Sequence, residues 1–140
     1  MIIKILIIFL LFISNSFSYE VLIESSNLNL KNDGNIVISN NTKIDIPEKN
    51  IKINSGKVNY DKSKNFIIFK DNVLFKDQNT DLIIESDKIN YDLKSDLIYS
   101  EGKTNLILKK EYIIDGKNIY FERSSGKIYS IEDTIIEDKE

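Results

Sequence analysis

Leu82-Ile-Ile-Glu-Ser-Asp-Lys-Ile-Asn-Tyr91 alternates apolar and polar side chains, and Ile51-Lys-Ile-Asn-Ser-Gly-Lys-Val-Asn-Tyr60 carries the same pattern 31 residues earlier. The pattern returns in Val21-Leu-Ile-Glu-Ser-Ser-Asn-Leu-Asn-Leu30 and in Tyr112-Ile-Ile-Asp-Gly-Lys-Asn-Ile-Tyr-Phe121. Side chains alternate faces along a strand, so alternation at period two reads as half-buried β-strand. Recurrence at about thirty residues reads as stacked units, each too small to bury a core alone. The units run over residues 21–50, 51–81, 82–111 and 112–140. One column of the alignment reads Leu28, Val58, Ile89, Ile119, and the next reads Leu30, Tyr60, Tyr91, Phe121.

Working outward, the inward positions of the second unit are Ile53, Val58, Tyr60, Ile67, Phe69, Val73 and Phe75. Those of the third are Leu82, Ile84, Ile89, Tyr91, Ile98 and Leu106, and those of the fourth are Tyr112, Ile114, Ile119 and Phe121. Each unit divides into four short strands. Hairpin turns are predicted at Asn32-Asp-Gly34, Lys62-Ser-Lys-Asn65, Lys94-Ser-Asp96 and Ser124-Ser-Gly126, because Asn, Asp and Gly tolerate the positive φ that tight turns require. A second turn column is expected at Asp71-Asn72, Gly102-Lys103 and Glu132-Asp133. Pro47 falls near the first unit boundary, where it ends a strand without breaking a ladder. No segment after residue 18 keeps a helical stripe, so the fold class is all-β. The opposite strand face is also rich in apolar residues, among them Leu22, Ile36, Ile38, Ile68, Leu74, Ile83, Ile107, Ile113, Tyr120 and Tyr129; either both faces are partly covered or the outer one meets a partner.

The leader has a different character. Lys4 precedes the apolar run Ile5–Ile13 and Ser14-Asn-Ser-Phe-Ser18 follows, the layout of a secretory signal peptide cleaved after Ser18. The run is about half the ~20 apolar residues a membrane span requires. Residues 19–140 then form one exported β domain. Those 122 residues carry 18 basic and 22 acidic side chains, a net charge of −4, and the lysines are scattered, which gives no footprint for nucleic acid. Cysteine is absent, so a domain of this size relies on its apolar interior without disulfides.

With neither His nor Cys, the chain lacks the usual neutral-pH base, the thiol nucleophile and the commonest transition-metal ligands. No cofactor or metal site is expected. Asp61, Asp92 and Glu122 recur in register and raise the thought of a paired-carboxylate glycosidase. However, an acid placed after an inward aromatic also opens a solvated turn, and a catalytic pair needs two unlike environments. No enzyme activity is expected.

Ser55-Gly-Lys-Val-Asn-Tyr-Asp61, Phe69-Lys-Asp-Asn-Val-Leu-Phe75, Ser86-Asp-Lys-Ile-Asn-Tyr-Asp92 and Tyr99-Ser-Glu-Gly-Lys-Thr-Asn-Leu106 resemble the OstA-like repeat of lipopolysaccharide transport proteins. That family comprises LptA, the periplasmic amino-terminal domain of LptD and, more distantly, LptC. The resemblance covers residues 20–140. It implies a β-jellyroll or folded V-shaped sheet whose inward side chains, those named above, line a cleft for lipid A acyl chains. It also implies a periplasmic location, free or attached to an outer-membrane complex, and end-to-end stacking with similar domains through edge strands to form a bridge to the outer membrane. Tyr19 to Asn35 lacks the long polar lead of a free carrier, which inclines the reading from LptA type towards the amino-terminal piece of an LptD-like protein. A β-solenoid that self-associates or adheres without lipid cargo is the alternative.

Overall fold

The computed structural model describes residues 19–132 and 134–138; the leader and Asp133 lie outside the described residues. Six long strands come first: β1 (Leu22–Lys31), β2 (Ile36–Ile46), β3 (Ile51–Asp61), β4 (Phe66–Asp77), β5 (Leu82–Asp92) and β6 (Leu97–Leu108). Four short ones follow, β7 (Tyr112–Lys117), β8 (Ile119–Glu122), β9 (Lys127–Ser130) and β10 (Ile135–Asp138). All pairings are antiparallel and join chain neighbours from β1 to β7. Beyond β6 the sheet divides, with β8 and β9 continuing one half and β7 and β10 the other. The chain is all-β as the alternation requires. Apart from strands, the regular structure among the described residues is one 3-10 turn, Pro47–Lys49, opened by the proline.

The strands are twice as long as the sequence pattern suggests, because the second turn column does not turn the chain at Asp71-Asn72 or Gly102-Lys103; Asp133 of its third pair lies outside the described residues. Asp71 and Asn72 have positive φ in the middle of β4, as do Asn41 in β2 and Gly102 in β6, yet pairing continues on both sides of them. Register slips at Lys70/Val73 and at Ser86/Lys88 identify β-bulges, which bend a strand and increase its twist. The same residue types serve hairpins and bulges because both need a left-handed backbone. Gly56 faces the β4 bulge so closely that an added Cβ would lie 2.8 Å from Asp71 Cβ. Aligned across the sheet, these bends form one crease that divides every long strand into two arms.

The predicted hairpin column does turn the chain. Asn65, Asp96 and Gly126 all have positive φ, and each turn is tied to the next: Lys62 N donates to Asn35 O at 2.9 Å, Leu93 N to Asn65 O at 2.9 Å, and Arg123 N to Asp96 O at 3.1 Å. These turns form the first rim of the folded sheet. The opposite, second rim holds the turns at 47–50, 78–81 and 109–111, joined by Gln78 N to Asn50 O at 3.0 Å and Lys109 N to Asp81 O at 2.9 Å.

The inner faces of the two arms pack together. On the first arm the registered row runs Val37, Tyr60, Ile67, Tyr91, Ile98, Phe121; on the second it runs Ile44, Ile53, Phe75, Ile84, Leu106, Ile114. All of these are buried. Phe75 of the second arm meets Tyr91 of the first edge-on, with centroids 6.1 Å apart and planes at 88°, a favourable aromatic geometry. The outer face is less polar than an ordinary solvated face, but apart from the exposed Leu22 of the edge strand its apolar residues are half-buried and interleaved with polar ones: Ile38, Asn59, Ile68, Asn90, Tyr99 in successive strands. Tyr99, Tyr120 and Tyr129 stack there in parallel at 5.5 and 5.1 Å.

Candidate functional site

Three features define the interior: apolar rows on the arms, hydroxyls along the crease and a charged cluster where the rims meet. The hydroxyl row is Ser39, Thr42, Ser55, Ser86, Ser100 and Thr104, all buried. Two arms converging at a vertex leave room only for small side chains, and the bulges leave backbone carbonyls needing donors. Ser55 Oγ answers Lys70 O at 2.8 Å, and Ser86 Oγ lies 3.2 Å from Lys103 O. Thr104 Oγ1 donates to Ser100 Oγ at 2.6 Å, which in turn accepts from Ile119 N at 3.0 Å. Buried polar groups are tolerated when paired in this way.

Of the inward residues predicted from sequence, Ile53, Val58, Tyr60, Ile67, Phe69, Val73, Phe75, Leu82, Ile84, Ile89, Tyr91, Ile98, Leu106, Ile114, Ile119 and Phe121 share this interior and are buried. Tyr112 is 39% exposed, because β7 is covered only by the four-residue β10. The sequence reading missed Leu93, which sits at the first-rim turn after β5 and is fully buried. At the amino-terminal edge the inner face is open: Leu28 and Leu30 of β1, in line with Val58 and Tyr60, are 47% and 56% exposed.

The rim cluster was also missed. Arg123, the only arginine in the chain, donates from Nε to Asp77 Oδ2 at 2.6 Å, from Nη1 to Asp96 Oδ2 at 2.9 Å and from Nη2 to Lys49 O at 3.1 Å. Lys49 Nζ donates to Asp96 Oδ1 at 3.0 Å and lies 4.1 Å above the Tyr19 ring centroid. The Tyr91 hydroxyl donates to Asp96 Oδ1 at 2.6 Å. Lys49 and Asp77 belong to the second rim, Asp96 and Arg123 to the first. The lone arginine was the available signal, since its planar fork suits two carboxylates where lysine's ammonium does not.

The recurrent acids close turns. Asp61 Oδ1 accepts from Ser63 Oγ at 2.6 Å and Lys64 N at 3.2 Å, and Asp92 Oδ1 accepts from Lys94 N at 2.9 Å. Ser63 is the main cause holding the Asp61 carboxyl below its ordinary value.

Residues 22–97, over half of the chain, match the family described as LptA/(LptD N-terminal domain) LPS transport protein. The chain belongs to this family. Among solved structures, LptH from Pseudomonas aeruginosa, the LptA-homologous periplasmic component of its lipopolysaccharide transport device, has the same fold. The TM-score is 0.75 at 7% identity, over 87% of this chain and 96% of that one. No curated protein matches the chain significantly. The folded sheet and its apolar interior are therefore those of the LptA/LptD amino-terminal fold.

In this LptA-family domain the rim cluster contributes to the pH dependence of stability, together with Asp61, Asp92 and Glu101, whose carboxyls are also held below their ordinary values. Burial opposes ionisation of Asp96, but the Tyr91 hydroxyl, Lys49 and Arg123 outweigh it and hold its carboxyl below the ordinary value. A depressed folded pKa contributes stability that is present above the unfolded value, about 3.9, and is lost as pH falls through the folded one. Burial and Asp96 raise the Tyr91 phenol, so its contribution is present below about pH 10 and is lost on further alkalinisation. Thermal midpoints should be level between about pH 5 and 8 and fall below about pH 4. A midpoint that rises on acidification would contradict the role assigned to Asp96.

Proposed function

We propose that this chain is a periplasmic module of lipopolysaccharide transport and outer-membrane assembly, which holds lipid A acyl chains between its arms and stacks end to end with similar domains. The observation that carries this reading is the β1 edge. There the inner apolar rows continue to Leu28 and Leu30, which remain exposed, and the outer side of the strand has no partner strand among the described residues. An unpaired strand edge is a template for β-augmentation, and a second domain added there would extend both the ladder and the apolar wall. The other edge is formed by β9 and β10, with Ile131, Ile135 and Ile136 exposed. Burying an acyl chain of about twelve carbons is worth up to roughly 10 kcal/mol at ~0.8 kcal/mol per methylene, enough to offset leaving a membrane or micelle.

A photo-crosslinking residue at Leu30 or Tyr60, inside, should form lipopolysaccharide adducts, whereas one at Lys52 on the outer face of β3 should not. A second reading, self-association without cargo, is favoured by the tight packing of the interior, where Ile51, Ile67, Phe69 and Ile89 are fully buried. That reading predicts oligomers and no adduct at any interior position. Equal labelling at Lys52 and Leu30 would likewise refute a cleft.

A further inference from the structure

The two rims meet without a ladder. Among the described residues the backbone hydrogen bonds at the rims join turns of the same rim, while the contacts between rims are side-chain contacts centred on Arg123, Lys49, Asp77 and Asp96. The interior apolar rows begin immediately behind, since Tyr91 both bonds Asp96 and packs against Phe75. This seam is thus the one long side of the folded sheet closed by a few charges rather than by continuous strand pairing.

The cluster is balanced, two cations against two carboxylates, but its members are unequally placed. The side chain of Asp77 is fully buried and that of Arg123 is 9% exposed, whereas that of Asp96 is 22% exposed and can be approached from outside. Separating the rims breaks the contacts Arg123–Asp77 and Lys49–Asp96, both of which cross the seam, while Arg123 keeps Asp96 on its own rim. An anion seated between Lys49 and Arg123 takes the place of Asp96 at Lys49 and so offsets one of the two lost contacts. Opening is therefore less costly when an anion arrives with the apolar chains that will occupy the space behind it.

We propose that this cluster is a latch on a side entrance to the interior, and that Lys49 and Arg123 seat the phosphate or carboxylate headgroup of an anionic amphiphile entering there. The proposal rests on the reading that acyl chains occupy the interior, and adds a route that does not thread the lipid through the ends of a stack.

The test uses the full chain and two probes, fluorescent lipopolysaccharide and a non-ionic maltoside detergent of similar chain length. Lys49→Gln keeps a donor towards Asp96 but removes a charge; it should weaken lipopolysaccharide binding roughly tenfold, the worth of one charge-assisted contact, and leave the detergent unchanged. Asp96→Asn weakens the latch and should speed lipopolysaccharide uptake by roughly the same factor. Circular dichroism and thermal midpoints confirm that both variants are folded; should Asp96→Asn not fold, Lys49→Gln decides alone. Binding of both probes unchanged by both variants overturns the latch while leaving the interior reading intact. Failure of the parent protein to bind either probe removes the interior reading and the latch with it. Inorganic phosphate alone, bound as tightly as lipopolysaccharide and lost in Lys49→Gln, would show a free-anion site and overturn the entrance.

Discussion

Arg123→Ala lowers unfolding free energy by about 3–5 kcal/mol, because it leaves Asp77 buried without its cation and Asp96 with Lys49 as its one remaining cation. For a domain of this size that corresponds to a fall of roughly 10–20 °C in the thermal midpoint. The loss arises from a stranded charge, so it should be reversible by removing that charge. Asp77→Asn in the same chain recovers most of it, since a neutral side chain can still accept from Asn79 N, now at 2.9 Å from the carboxylate. Denaturant titration of the two single variants and the double variant measures the coupling. A single-variant loss under about 1 kcal/mol, the range of exposed ion pairs, would mean that water reaches the cluster and that it does not hold the rims.

The contrast between this cluster and the strands shows what the sequence displays. The alternation of Leu82, Ile84, Ile89 and Tyr91 reports a face directly, because a strand's period does not depend on what it packs against. Nearly all the inward residues were legible for that reason, as was the family from the motifs around Tyr60 and Tyr91. The number of strands was not. Asp71-Asn72 and Lys62–Asn65 both satisfy a positive-φ requirement, and only the pairing partners reveal that one bends a strand while the other reverses it. The exposure of Tyr112 was not legible for a related reason: the period fixes its face, but whether that face is covered depends on the length of β10. The contact between Arg123 and Lys49 joins residues 74 apart across two rims, and no local pattern encodes it. It follows from the angle at the crease, which is set by several bulges together.

Phe75→Ala is the second large effect, and it separates a packed core from a cleft. Phe75 is fully buried, flanked by Ile53 and Ile84 in neighbouring strands and by Tyr91 from the opposite arm. Truncation removes its transfer energy and leaves a void at the centre, for a loss of about 3–5 kcal/mol, whereas Phe75→Leu should lose less than about 1.5. The response to lipid carries the functional information. An apolar void stays dry and accepts apolar guests, and any ligand that binds the folded state alone raises its stability by mass action. If acyl chains enter between the arms, lipopolysaccharide raises the midpoint of Phe75→Ala by more than that of the parent, because the guest fills space that the ring had occupied. If the interior is only a core, lipid leaves the midpoint of the parent unchanged, and any rise is confined to Phe75→Ala, whose new void can take a guest. The comparison is informative because the parent and the variant are read together: a cleft stabilises both with lipid and the variant more, whereas a core leaves the parent unmoved.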